Sequence, residues 1–169
     1  MLIQIFRFCE RHLPYIQVFR PEHFEDIDYL IDNELSFVYC ICYVTARYLP
    51  GGKELREMLL PEVIRVPKAA LTTQVGGRPV DDLSTLKALF ILYVYSDLTP
   101  PSQPSESSPK QDILFWPLKS VVEVYAVRLS LHRSVQDLKS ELRSNPEGIT
   151  TSKSYERYTY WLWLFSTAH

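Results

Sequence analysis

The residues able to do chemistry in this chain are few, and each group also fits a plain structural role. Cys40 and Cys42 stand two positions apart. On a helix, residues two apart project roughly 200° from each other and cannot hold one ion. Zinc sites also favour about two to four intervening residues and a second ligand pair, which is missing here. These cysteines therefore read as buried structural thiols. His23 and Asp26, flanked by Glu22 and Glu25, have ligand-like spacing but read as a solvated acidic helix face. Cys9 and His12 share that spacing, yet catalytic Cys and His residues usually meet only in the fold. Asp81-Asp82 lacks a third carboxylate one turn on, because position 85 is Thr85, so the pair reads as a helix start. Gly76-Gly77-Arg78-Pro79 lacks the Lys-Ser/Thr of a phosphate loop and reads as a turn. No serine elbow, His-Glu-x-x-His or dinucleotide fingerprint occurs. The expectation is a non-enzyme, with no catalytic, metal or DNA-binding residue and no cofactor in this chain.

The elements that would carry these residues are helical. Phe37, Cys40, Ile41 and Val44 define one stripe, ended by Pro50-Gly51-Gly52. Leu86, Leu89, Phe90, Tyr93 and Val94 define a second, with Asp81, Asp82 and Ser84 as N-cap candidates. A third is Leu118, Val121, Val122, Tyr125 and Leu129, with Asp112 as a start signal and Pro117 near its first turn. Tyr158, Trp161, Leu162 and Phe165 define the last, in a helix over 155–165. Shorter helices are expected at 2–11, 22–32, 54–75 with an interruption at Pro67, and 134–143. The predicted class is all-α, an irregular multi-helix domain over 1–169. Aromatic residues on more than one face of the last helix suggest the N-terminal part of a larger helical fold, and hence a partial gene product.

The stretch 99–112 holds four Pro, four Ser and no apolar side chain, so it reads as a flexible, solvated loop. Within it, Thr99-Pro100 and Ser108-Pro109 are candidate phosphorylation sites.

Composition narrows the function classes. The 169 residues are 46% hydrophobic and 13% aromatic with only 5 Gly, which excludes collagen-like and wholly disordered chains. A formal charge of −2 supplies no basic field for phosphates, so direct nucleic-acid contact from this segment is not expected. No run of 18 apolar residues predicts a membrane span, and the first residues lack the pattern of a secretory signal. An odd set of three cysteines suits an intracellular, reduced setting.

Three stretches, in order, resemble the regulatory or middle homology region of fungal zinc-cluster transcription factors. His12-Leu13-Pro14, Phe19 and then Leu35–Arg47, with Ala46-Arg47-Tyr48, resemble its opening aromatic–His–Pro segment and the helix ending in Ala-Ala-Arg-Tyr. Ser84–Leu92 resembles the helix written Thr-Leu-Gln-Ala-Leu-Leu-Leu-Leu. Trp116, followed by Tyr125-Ala126-Val127-Arg128-Leu129-Ser130-Leu131-His132-Arg133, resembles Ala-x-x-Leu-Gly-Leu-His-Arg. Arg157-Tyr158-Thr159-Tyr160-Trp161 resembles Arg-Arg-Thr-Phe-Trp. Ser130 stands where the family has Gly, Tyr158 replaces its second Arg, and Tyr160 replaces its Phe. The six-cysteine zinc cluster that binds DNA in the family is absent, as are the basic linker behind it and the later helices.

The resemblance implies a nuclear regulatory domain that modulates transcription through a small-molecule effector or a coregulator protein. Zinc would belong only to the family's missing N-terminal cluster. Leu129, Leu131, His132, Arg133, Arg157 and Trp161 are the family-motif residues, read as structural. Trp161 and Leu162 are expected on the apolar stripe of the last helix. Arg157 is expected over the Trp161 ring or on a carboxylate, and His132-Arg133 at a helix C-terminus. The regulatory reading requires Leu129–Arg133 and Arg157–Trp161 to share one core. A second reading is an unrelated helical protein-interaction module, possible partners including a second copy, because 11 Tyr and 3 Trp suit an interface. A third is a helical enzyme with a dispersed site.

Overall fold

The computed structural model describes Phe8, Phe19 and residues 24–72, 83–96, 115–144 and 148–167. Seven α-helices follow in chain order among them: α1 Ile27–Asn33, α2 Leu35–Ala46, α3 Gly52–Thr72, α4 Leu83–Ser96, α5 Phe115–Arg128, α6 Ser134–Ser144 and α7 Lys153–Thr167. Short 3-10 turns at Leu131–Arg133 and Ile149–Thr151 lead into α6 and α7. No strand occurs among the described residues, so the all-α expectation holds. The 99–112 loop and the 2–11 helix, apart from Phe8, lie outside the described residues.

The sequence stripes of α2, α4 and α5 become the core. Phe37, Cys40, Ile41 and Val44 are buried, as are Leu86, Leu89 and Phe90, and Leu118, Val121, Val122, Tyr125 and Leu129, while Tyr93 and Val94 of the second stripe are half-buried against them. Helix α2 packs on α3 and α4, α4 on α5, and α6 on α7. Rings tie the layers together. Phe19 lies 5.3 Å from Phe37, while Phe90 stacks on Tyr160 at 5.5 Å and meets the edge of Trp163 at 4.8 Å. Such offset and edge-on pairs each add about 0.5–1.5 kcal/mol beyond the area they bury.

Four expectations are corrected. The segment expected at 22–32 starts its regular helix only at Ile27, because the Asp26 carboxylate accepts the Tyr29 N–H and caps α1. Helix α3 is not interrupted at Pro67; it runs unbroken through both Pro61 and Pro67. Each internal proline costs about 3 kcal/mol of helix stability. Burial of Val63, Val66 and Ala70 against neighbouring helices offsets this, at about 1.5–3 kcal/mol for each valine. On α7 the buried positions are Tyr160 and Leu164, whereas Leu162 is 50% and Phe165 61% exposed. The run of large apolar residues on α7 matched two helical faces, and contact with Phe90 selected the one carrying Tyr160. Finally, α5 ends at Arg128, so His132 and Arg133 lie in the following 3-10 turn and not at its C-terminus.

Candidate functional site

The joint between the end of α5 and α7 gathers most of the motif residues. Helix α5 stops because Ser130 turns left-handed, at φ 57°. It is the one non-glycine residue with positive φ among those described, and the Ser130 N–H reaches the Val127 carbonyl. A β-carbon in this region costs roughly 1–2 kcal/mol, which glycine would not incur. The turn swings Leu131 into the core, where it is fully buried, and Ser134 Oγ donates to the Leu131 carbonyl as α6 begins.

From the other side, α7 reaches across. The Arg157 guanidinium donates to the carbonyl of Leu129, one of the acceptors a helix end leaves open. This acceptor is a backbone oxygen 28 residues away, one that local spacing did not name. One turn on, half-buried Trp161 meets the imidazole of exposed His132, with ring centres 6.2 Å apart. Arg133 is exposed and Leu129 is buried. The sequence-predicted residues Leu129, Leu131, His132, Arg157 and Trp161 therefore come together, with Arg133 at the rim. A further strut links α6 to α7, where Ser154 Oγ donates to Glu141 at 2.6 Å. Hydrogen bonds from Ser154 and Ser152 lower the Glu141 pKa below its ordinary 4.5.

A second polar feature was missed by the sequence reading. Lys87 is 7% exposed in the middle of α4, and its Nζ lies 2.9 Å from Glu34 and 4.0 Å from Glu156. It also stands 6.0 Å from the centre of the Phe37 ring. The signal was present: Lys87 falls between Leu86 and Ala88 in a helix with no other charged residue. A buried ammonium needs an anionic partner, but no local rule names one 53 residues distant.

The remaining candidates resolve toward structure. Cys40 and Cys42 are buried, and burial raises both thiol pKa values, that of Cys42 to about 11. Asp26 is engaged as the α1 cap. Cys9, His12, Glu22, His23, Gly76, Gly77, Asp81, Asp82, Thr99 and Ser108 lie outside the described residues, as does the side chain of Trp116. Among the described residues, no three His, Cys, Asp or Glu side chains converge as a metal site requires. None of the described helices is long and apolar enough to cross a membrane.

No family model, curated protein or solved structure matches this chain.

Proposed function

We propose that this chain is a non-enzymatic regulatory domain of the kind found in fungal zinc-cluster transcription factors. It would act in the nucleus and modulate transcription through an effector or a coregulator, without contacting DNA itself. The observation that supports this reading most is the α5–α7 joint. Two motifs about 24 residues apart in the chain meet through the Arg157–Leu129 contact and the His132–Trp161 ring pair. The position where the family carries Gly is the one whose backbone is left-handed. That coincidence gives the family's Gly a physical reason, and Ser130 occupies its place at a cost in strain. The mechanism is a population shift between two packings of the helices, biased by whichever ligand binds one packing better.

The test is a fusion of the chain between a heterologous DNA-binding domain and an activation domain, read with a reporter gene. The expected result is reporter output that differs from the fusion lacking the chain and shifts again with Arg157→Gln at equal protein level. Output indifferent to both changes would overturn the regulatory reading.

A second reading, an unrelated helical interaction module, draws on the exposed apolar side chains of Leu162 and Phe165 on α7. It predicts self-association or partner capture that is lost in Leu162→Ser/Phe165→Ser, whatever the reporter shows.

A further inference from the structure

Where α2 turns into α3, the chain forms an open cleft of about 280 Å³, apart from the contacts of the α5–α7 joint. Its walls include Tyr43, Arg47, Leu49, Lys53, Arg56 and Leu60. The corner is tight because Gly51 takes φ 71° and Gly52 presses on the end of α2. A β-carbon on Gly52 would fall 1.7 Å from the Ala46 carbonyl oxygen. The sharp turn brings Arg47, just past the end of α2, and Lys53 and Arg56 of α3 to one concavity.

The charges there are not balanced from within. Exposed Lys53 lies 4.0 Å from Glu57, the carboxylate that also lines the cleft, and these two offset each other weakly. Glu54 stands at the turn, near Gly51. Half-buried Arg47 has no side-chain hydrogen bond or ion pair among the described residues. Arg56 is held in place: its guanidinium lies 4.6 Å over the Tyr43 ring and donates to the Tyr43 oxygen at 3.0 Å. Among the described residues no carboxylate pairs with it and its buried Nε has no acceptor. Because Tyr43 accepts from Arg56, the phenol proton remains available to an incoming acceptor. Leu49 and Leu60 supply apolar wall beside these donors.

We infer that this cleft binds a small organic carboxylate with an apolar or aromatic body. Two guanidinium groups offer the planar forks that match a carboxylate, and the phenol adds a directional donor. The leucines and the Tyr43 ring take the body, in a space just below the usual size of ligand pockets. Taking this ligand as the effector rests on the regulatory reading above; binding in the cleft does not.

The experiment is an NMR titration of the ¹⁵N-labelled chain with benzoate at constant ionic strength, with benzamide and inorganic phosphate as parallel probes. Benzoate is expected to shift the amides of residues 43–60 saturably, with a Kd on the order of 1 mM. Benzamide should leave them in place, and phosphate should bind more weakly. Arg47→Gln, which removes no existing side-chain bond, should weaken benzoate about tenfold, as should Arg56→Gln. Linear, unsaturable shifts, or equal affinity in Arg47→Gln, would overturn the site. Phosphate binding as tight as benzoate would overturn the apolar-bodied ligand. Reporter output in the fusion described above reads the regulatory proposal separately, so the two can fail independently.

Discussion

Around Phe37, Phe90 and Tyr160 the molecule is held by interlocking rings and aliphatic side chains, whereas between Leu129 and Trp161 it is held by aimed polar contacts. The first region gains stability from apolar area, which has no direction and depends on filled volume. The second depends on a guanidinium reaching one carbonyl, a serine in a left-handed turn, and a ring pair at the rim. Directional contacts have discrete alternatives, and a packed centre resists sliding. If the proposed regulatory function holds, its change of packing belongs at the α5–α7 joint, with the α2–α4 centre acting as the fixed frame. The ion pair of Lys87 with Glu34, and its approach to Glu156, connects the two.

Substitutions separate these regions by size of effect. Phe90→Ala empties the centre of the ring stack and is expected to cost about 4 kcal/mol in urea unfolding. Lys87→Met leaves the half-buried Glu34 carboxylate beside an apolar side chain and should cost about 3 kcal/mol. The pair Lys87→Met/Glu34→Leu should recover most of that loss, because both charges are then gone. A double-mutant cycle measures the recovery, and a fully additive loss would mean that the pair does not act as one unit.

Arg157→Gln tests the joint itself. Loss of one charge-assisted bond to the Leu129 carbonyl should cost about 2 kcal/mol, with faster amide exchange confined to the end of α5 and the start of α6. Exchange quickened equally in α2 would erase the contrast between frame and joint. Ser130→Gly works in the other direction. It relieves the left-handed strain and should stabilise by up to about 1 kcal/mol, read as a raised Tm.

The smallest expected effect is a pH dependence. The Glu141 pKa is lowered in the fold by its serine hydrogen bonds, so unfolding raises it and takes up a proton in acid. Its contribution is whole at neutral pH and fades as the pH falls through 4.5 and below. Glu141→Gln should flatten the acid limb of a stability–pH curve while leaving the neutral part nearly unchanged.

Much of the frame was legible in the residues. The spacing of Phe37, Cys40, Ile41 and Val44, of Leu86, Leu89 and Phe90, and of Leu118, Val121, Val122, Tyr125 and Leu129 predicts the faces that are buried. Helical periodicity is a property of adjacent turns, so a single chain carries it without reference to any neighbour. Cys40 was legible for the same reason, as a member of a stripe, and Cys42 from the general tendency of free thiols to be buried. The joint was legible only in part. Motif resemblance gathered its residues, but the Arg157 acceptor lies 28 positions away and the Lys87 carboxylate 53.

What the sequence determined by itself, then, is which of the described segments wind into helices and which faces of α2, α4 and α5 turn inward. Only the tertiary structure decided that α3 survives two prolines, that α7 buries Tyr160 and Leu164 in place of Leu162 and Phe165, and that Lys87 is neutralised by Glu34. The reason is common to all three. Local rules rank the conformations of a segment by energies of a few tenths to about 3 kcal/mol, and burial against a distant helix supplies terms of the same size that no local pattern contains.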